Sequence, residues 1–266
     1  MDDDEIVGGD VYAHLLKRHL YNYPMDGSHK KWVKPQIMIL FASGDLDKAL
    51  EIIVKDLRHP IGNGLVVSLL VEECIREEVI KRLRAEMQPM DTRIQRHPQY
   101  LRSMQIIDRL HCQTVHMEEF DEEDTKQRNG RRIQGSPIVV LDFPQYYFGD
   151  TPTAVITMNT FRTLSEAVRL YRRERISFEA TSVWSGKLAQ CFDMVTRIPE
   201  ATNWTFNSSS HNIRKPTITN SVVFVERNVH YEFHEIGGKM HTIAFPTVPA
   251  LQALTATESK YNFRRD

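Results

Sequence analysis

The sequence predicts an α/β fold: a mostly parallel sheet with flanking helices, followed by a β-rich C-terminal arm. Short apolar runs that are rich in β-branched residues and bounded by Pro, Gly or Thr are typical of buried strands in parallel sheets. Amphipathic helical segments alternate with these runs, as the crossover connections of a parallel sheet require. The predicted parallel strands span residues 36–41, 65–71, 138–142, 153–158, 179–185 and 202–206.

The chain begins with an acidic segment and a predicted helix. Its first ten residues read MDDDEIVGGD, and Asp10 is a candidate N-cap for a helix that extends to Tyr21. Pro24 and Gly27 then end the helix. Its apolar side holds Val11, Leu15, Leu16 and Leu20.

Helices are also predicted after the first two strands. The first opens at Ser43, and its apolar stripe consists of Leu46, Ala49, Leu50, Ile53, Val54 and Leu57. The inner side of the second consists of Ile75, Val79, Leu83 and Met87. A further helix is predicted from Pro98 to Leu110, and residues 112–117 are predicted to form a strand.

Two more helices separate the last three predicted parallel strands. The first is capped by Thr163 or Ser165. Its apolar face consists of Leu164, Ala167, Val168 and Tyr171. The apolar face of the second consists of Leu188, Cys191, Phe192, Val195 and Ile198. Pro199 lies just past the end of this second helix, where helices commonly stop.

The C-terminal arm is predicted from three alternating or apolar runs. Its strands are residues 221–226, 230–234 and 240–245, with Asn228 and Gly237-Gly238 as turn residues. The predicted domains are an acidic start with a helix at 1–30, an α/β domain at 31–219 and the β-rich arm at 220–266.

Composition and charge limit the classes of function that the chain can have. Lys and Arg number 34 against 35 Asp and Glu, so the net charge of -1 gives no basic field for nucleic acid. No apolar run approaches the ~18 residues of a membrane span, and the acidic start lacks a signal-peptide pattern. Cys74, Cys112 and Cys191 form neither a CxxC pair nor a disulfide framework. We therefore expect an intracellular, cytoplasmic protein without nucleic-acid or membrane partners.

A strongly charged run interrupts the middle of the chain. Residues 118–124 contain six acids in seven positions, and the basic residues of 126–132 follow at once. This pattern predicts a solvated loop or a mobile excursion. An acidic docking tail is the alternative interpretation.

The stretch from residue 135 to residue 207 resembles the second half of an aldehyde dehydrogenase. In that family a Glu-x-Phe-Gly-Pro segment is followed by a strand, a helix with Glu-Ala, a strand ending in Ser-Val-Trp/Phe-Ser/Thr, a helix, and a strand ending in Asn. The counterparts here are residues 146–150, 154–158, 161–170, 181–185 and 203–207. Upstream, Asp45-Leu46-Asp47-Lys48-Ala49 matches a further family segment. The resemblance implies a fold like the catalytic domain of that family.

Most residues that carry this family's chemistry have no counterpart here. The family attacks its aldehyde with a cysteine thiolate, and the resemblance puts Asn63, or at most a neighbour, in that place. Cys74 lies beyond the following strand and is expected to be structural. The family's base belongs to Glu-Leu-Gly-Gly-Lys, whereas residues 29–34 read HKKWVK. Asn207 matches the family's strand-end asparagine, although a turn role is favoured. No catalytic residue is therefore assigned.

The resemblance also bears on the cofactor. In the family, the Glu of Glu-x-Phe holds the nicotinamide ribose; here the segment reads Tyr146-Tyr147-Phe148, so Phe148 is the candidate cofactor-binding residue. Family members carry an N-terminal dinucleotide-binding domain, whereas about thirty residues precede the matching region here. Neither a Gly-x-Gly-x-x-Gly unit nor a phosphate-binding P-loop motif occurs. We expect no cofactor, and NAD or NADP only under the alternative function below.

Two clusters contain residue types that bind metals. The first consists of His230, Glu232 and His234, which alternate on one face of a predicted strand at a spacing that suits zinc. A solvent-facing row is the favoured interpretation. The second cluster, weaker still, consists of His111, Cys112 and His116. No metal site is assigned, and no Gly-x-Ser-x-Gly elbow supports hydrolase chemistry.

Two functional classes remain. The favoured one is a non-catalytic, pseudoenzyme-like interaction or regulatory module that keeps the half-fold. The alternative is an NAD(P)-dependent oxidoreductase that acts on the aldehyde or oxo group of donors through a divergent site. We also expect a homo-oligomer or a protein partner, because a catalytic half without its cofactor domain exposes apolar surface. The N-terminal helix or another subunit is expected to cover that surface.

Overall fold

The structure is a computed structural model that describes residues 35–60, 64–90, 92–117, 135–148, 153–209 and 222–247. Three sequence predictions lie outside these residues: the N-terminal helix, the charged run at 118–132, and the assignment made to Asn63.

Helices and strands alternate as predicted. The helices are α1 (Leu46–Arg58), α2 (Arg76–Glu86), α3 (Thr92–Gln95), α4 (Pro98–Leu110), α5 (Leu164–Arg173) and α6 (Leu188–Arg197). The first five strands are β1 (Gln36–Leu40), β2 (Val66–Glu72), β3 (Thr114–Val115), β4 (Ile138–Leu141) and β5 (Val155–Phe161). The others are β6 (Ala180–Trp184), β7 (Asn203–Phe206), β8 (Val223–Glu226), β9 (Val229–Ile236) and β10 (Lys239–Pro246). Short 3₁₀ turns occupy Glu73–Ile75 and Gln145–Tyr147.

Within the described residues the strands form one ten-stranded sheet in the order β3-β4-β5-β2-β1-β6-β7-β10-β9-β8. The six strands predicted to be parallel are parallel, and β10 continues the set by pairing in parallel with β7. The antiparallel pairs lie at the two ends, where β3 joins β4 and where β8 and β9 extend the arm. The predicted α/β class is therefore confirmed.

The strand boundaries differ most from the prediction in β5 and β3. β5 begins at Val155 because Ala154 adopts a left-handed conformation (φ 52°). It continues through Phe161, which the sequence placed in the following helix, because that ring packs edge-on against Phe41 with centroids 5.2 Å apart. The strand predicted at 112–117 is reduced to the two residues of β3.

Side-chain caps fix the starts of three helices, and His97 begins α4 by accepting the N–H of Gln99 at 3.3 Å. An oxygen of Asp45 accepts the N–H of Lys48 at 3.1 Å and begins α1. Thr163, one of the two predicted candidates, caps α5 by accepting the N–H of Glu166 at 3.2 Å. Leu188 was predicted on the apolar face of α6, but it is the first residue of the helix and its side chain is 49% exposed.

Helices cover both faces of the sheet. On β1, Met38 and Leu40 pack on one face with α1 and α2. Ile37 and Ile39 pack on the opposite face with α5 and α6. The chain therefore leaves β1 and β2 toward one face of the sheet, and β5 and β6 toward the other.

Two tight hairpins build the arm. Arg227 and Asn228 have φ angles of 52° and 63° between β8 and β9, and Gly237 and Gly238 have 59° and 73° between β9 and β10. Paired positive φ angles match the right-handed twist of the flanking strands. No helix in the described part of the chain is long and apolar enough to cross a membrane.

Candidate functional site

The loops that follow β1 and β6 meet at the carboxyl edge of the sheet. A Cβ atom on Gly44 would lie 2.7 Å from the carbonyl oxygen of Trp184, and a Cβ on Gly186 would lie 2.7 Å from the carbonyl oxygen of Ser43. The hydroxyls of Ser43 and Ser185 are 3.1 Å apart, and the N–H of Gly186 donates to the Ser43 hydroxyl. Because the two backbones are in direct contact, glycine is required at both positions.

Asn207 lies at the same edge, directly after β7. Its φ angle of 48° is left-handed. Its amide oxygen accepts the N–H of Ser185, and its amide nitrogen donates to the carbonyl oxygen of Ser185, both at 2.9 Å. The side chain that the resemblance compares with a family asparagine therefore joins two strand ends.

The three cysteines occupy different environments. Cys74 is exposed in the 3₁₀ turn after β2, whereas Cys112 and Cys191 are buried. Burial raises the pKa of the Cys191 thiol to about 12, so little thiolate forms at neutral pH. Asn63 lies outside the described residues, so the assignment at that position stays a prediction.

Phe148 is located in the core rather than on an open surface. Its side chain is 4% exposed and belongs to the cluster that includes Tyr100, Ile138 and Val155. The prediction that this ring holds a cofactor ribose remains a prediction.

The residues just before Phe148 are anchored by Glu174, which sequence reasoning missed. Both carboxylate oxygens of Glu174 accept the N–H of Gln145 at 3.0 Å. Burial raises the pKa of Glu174 to about 7, while hydrogen bonds from Gln145 and Tyr146 and the charge of Arg173 act in the opposite direction. The partners lie 29 positions apart, so no local motif signals the contact.

Buried polar side chains adjoin this carboxylate. Ser68 of β2 and Thr157 of β5 are register partners, their hydroxyls are 3.4 Å apart, and Ser68 also bonds to Glu174. On the same face of β5, Asn159 donates to the carbonyl oxygen of Phe143 at 3.1 Å. The sheet is thus polar where it meets the 3₁₀ turn.

Aromatic rings cover the outer side of the turn. Tyr146, which the resemblance compares with a family Glu, stacks on Tyr147 with centroids 4.5 Å apart. The guanidinium of Arg175 lies 5.2 Å from the centroid of the Tyr146 ring. Burial raises the pKa of Tyr146 to about 12, and the hydrogen bond with Tyr147 adds to the effect.

His230, Glu232 and His234 lie together on one face of β9. Glu232 bridges the two imidazoles: one oxygen is 2.9 Å from Nε2 of His230, and the other is 2.8 Å from Nε2 of His234. Opposite His234, the buried His241 has a pKa lowered by burial, which the backbone of Ile236 partly counteracts. Within the described ranges, no group of three or more His, Cys, Asp or Glu side chains is arranged to hold a metal ion.

The arm carries most of the apolar exposure. Of six exposed large hydrophobic side chains in the described ranges, four belong to the arm. They are Val222 (64% exposed), Val223 (51%), Val225 (59%) and Met240 (59%). β8 is the terminal strand of the sheet in the described part of the chain, so its outer edge has no strand partner there. We call residues 222–226 the arm edge.

Comparison with known proteins gives a family and a set of similar folds. The model of a family described as "Protein of unknown function (DUF1487)" matches residues 31–251. A comparison with curated proteins found no match.

Among solved structures, the chain is similar to several aldehyde dehydrogenases. Lactaldehyde dehydrogenase from Escherichia coli is 15% identical with a TM-score of 0.48, over 70% of this chain and 41% of that one. NAD-dependent aldehyde dehydrogenase from Sinorhizobium meliloti is 21% identical with a TM-score of 0.47, over 68% and 38%. Betaine aldehyde dehydrogenase from Staphylococcus aureus is 15% identical with a TM-score of 0.47, over 73% and 42%. The matched part is about two fifths of each solved chain, and the enzymes are of the family that the sequence motifs resemble.

Proposed function

The chain belongs to the family described as "Protein of unknown function (DUF1487)", and we propose that it is a non-catalytic, aldehyde-dehydrogenase-like interaction or regulatory module. The observation that carries the proposal is the exposed arm edge, where Val223 and Val225 of the terminal strand and Val222 just before it are exposed. Contiguous apolar surface at a strand edge favours pairing with another chain.

A second copy of the chain is the partner that the arm edge fits best. If two β8 strands pair antiparallel about Phe224, Val223 of each copy lies opposite Val225 of the other. In the same register Glu226 lies opposite Val222, so like charges do not face each other. Such a contact uses the same residues on both copies, as a two-fold interface requires.

Contacts elsewhere in the molecule support a structural role for Asn207 and Phe148, the two residues that the resemblance relates to catalysis and to cofactor binding. The amide of Asn207 is used in two hydrogen bonds to Ser185. The Phe148 ring is packed in the core. Both side chains thus have contacts that explain their presence without a bound substrate.

A titration with NAD and NADP tests the non-catalytic part of the proposal. Trp184 and Trp204 are 1% exposed within the sheet, which makes tryptophan fluorescence a reporter of changes there. We expect no saturable change with either nucleotide, and no NADH or NADPH formation with a panel of common aldehydes. An active aldehyde dehydrogenase under the same conditions is the positive control.

The oxidoreductase alternative predicts the opposite outcome. Saturable nucleotide binding with nucleotide reduction, abolished by Asn63→Ala or Cys74→Ser, would overturn the non-catalytic proposal. Self-association through the arm edge is measured separately, so the two parts of the proposal can fail independently.

A further inference from the structure

The backbone groups of β8 divide between the two sides of the strand. The N–H of Phe233 in β9 donates to the carbonyl oxygen of Val222 at 2.9 Å, so the backbone groups of Val222 point toward β9. Because this direction alternates along a strand, the N–H and C=O groups of Phe224 also point toward β9. Those of Val223 and Val225 point to the outer side, where β8 has no strand partner in the described part of the chain.

The outward-pointing groups limit the registers in which a second copy can pair. In an antiparallel ladder, residues whose backbone groups point to the partner strand lie opposite residues of the same kind. A two-fold axis at Phe224 places Val223 of each copy opposite Val225 of the other, so both valines exchange their N–H and C=O bonds between the copies. An axis at Val223 or at Val225 would leave one valine opposite a residue outside β8.

The same register brings the two Phe224 side chains next to each other. Phe224 is half-buried, and its ring stacks on those of Tyr231 and Phe233, with centroids 5.1 Å and 5.9 Å apart. Both of these rings belong to β9, so in the described part of the chain the stack ends at the arm edge. Opposite residues whose backbone groups point away from each other form the closer kind of antiparallel pair, with Cα atoms roughly 4.5 Å apart. Aromatic rings stack at such separations.

We propose that Phe224 fixes the register of the self-associated form by stacking on Phe224 of the second copy. The aromatic stack of each arm then continues across the two-fold axis on one face of the joined sheet, while Val223 and Val225 pack on the other face. Moving the axis to Val225 would set Phe224 opposite Glu226 and replace a ring contact with a charged side chain. The inference rests on the self-association proposed above and adds the residue that selects one register.

Disulfide cross-linking of the full-length chain measures the register. Val223→Cys and Val225→Cys are made separately in a Cys74→Ser background, which removes the exposed native thiol, and one of the two variants carries a heavy-nitrogen label. In the proposed register, position 223 of one variant lies opposite position 225 of the other, at a Cα separation of about 5.5 Å that suits a disulfide. Like positions are offset by two residues, which puts their Cα atoms beyond the roughly 7 Å limit. Oxidation of an equimolar mixture should therefore give mainly disulfides between a labelled and an unlabelled chain, as measured by mass spectrometry.

Two substitutions of Phe224 separate the effect of the ring from that of apolar area. Phe224→Tyr keeps the ring and should associate like the unmodified protein. Phe224→Leu keeps an apolar side chain without a ring, and it should raise the dissociation constant of the pair of chains roughly tenfold. Light scattering over a range of concentrations gives both constants, and circular dichroism checks that the two variants are folded.

The outcomes separate the register from self-association itself. Disulfides mainly between like chains would overturn the register, even where light scattering gives the mass of two chains, and self-association through the arm edge would then stand without it. Equal dissociation constants for Phe224→Leu and Phe224→Tyr would overturn the role of the ring. A mass of one chain at every concentration would overturn both the register and the proposed self-association.

Discussion

The side-chain amide of Asn207 is bonded twice to the backbone of Ser185, once to the N–H and once to the carbonyl oxygen, at 2.9 Å each. Asn207 follows the last residue of β7, and Ser185 follows the last residue of β6. The amide therefore extends the pairing of β6 and β7 by one step after the backbone has turned away. The left-handed φ of 48° makes that turn possible.

Replacing Asn207 should lower the free energy of unfolding. The loss should depend on how many hydrogen bonds the substitution removes and on whether it strains the backbone. Asn207→Gly loses the two hydrogen bonds and should cost about 1–2 kcal/mol in free energy of unfolding. Asn207→Ala also strains the left-handed backbone and should cost about 1 kcal/mol more. Urea unfolding measures both. An Asn207→Ala variant as stable as the unmodified protein would show that the bonded amide has no structural role.

The glycines in the β1 and β6 loops should be intolerant of a single methyl group. Gly44→Ala places a Cβ 2.7 Å from the carbonyl oxygen of Trp184, and relieving that overlap should cost about 2–3 kcal/mol. Gly238→Ala is the control: no atom lies within 4 Å of its Cβ position, and its φ of 73° should cost only about 1 kcal/mol. Thermal unfolding of the two variants compares the costs, and equal losses would contradict the close packing of the loops.

The cysteines should react with a thiol reagent in an order set by burial. Cys74 is exposed and should be modified in the folded protein. Cys112 and Cys191 should react only after unfolding, because both are buried and burial raises the pKa of Cys191 to about 12. Mass spectrometry of the modified peptides gives the result. Rapid modification of Cys191 in the folded state would contradict the core packing of α6.

Glu174 should make the folded protein less stable at alkaline pH. Its pKa is about 7 when folded, against an ordinary value of 4.5. Between these values the folded state binds more protons than the unfolded state, so this contribution to stability falls as the pH rises from 4.5 through 7. Glu174 alone should make the protein about 2.5 kcal/mol more stable at pH 5 than at pH 8.

Urea unfolding of Glu174→Gln and Glu200→Gln at the two pH values isolates the contribution of Glu174. The pH difference should shrink by that amount only in Glu174→Gln. An undiminished difference in Glu174→Gln would contradict the assignment.

The sheet could be predicted because each strand can be recognised from the pattern of its own residues. Runs such as the one ending at Leu141 are apolar on both faces, as strands covered by helices on both sides must be. Helix starts were also visible where a capping residue is local, as with Thr163 and Glu166. The predicted end of β5 was wrong because packing outweighed the local sequence pattern. Phe161 stays in the strand through its ring contact with Phe41.

The candidate sites were less predictable because their contacts span long sequence separations. Nothing near Glu174 in the sequence indicates that it caps a turn beginning at Gln145. The alternation of His230, Glu232 and His234 was visible in the sequence. The hydrogen bonds that join the Glu232 carboxylate to Nε2 of both imidazoles were not. The arm was predicted as strands, whereas the exposure of Val223 depends on its place at the end of the sheet.

Light scattering over a range of concentrations tests the central claim, self-association through the arm edge, most directly. The unmodified chain should approach the mass of two chains as its concentration rises. The double variant Val223→Lys and Val225→Lys should keep the mass of one chain, because lysines would be buried opposite each other in the paired strands. Leu188→Lys, at an exposed leucine on α6, should associate like the unmodified protein. A mass of one chain for the unmodified protein at every concentration, or equal association of the double variant, would contradict the account.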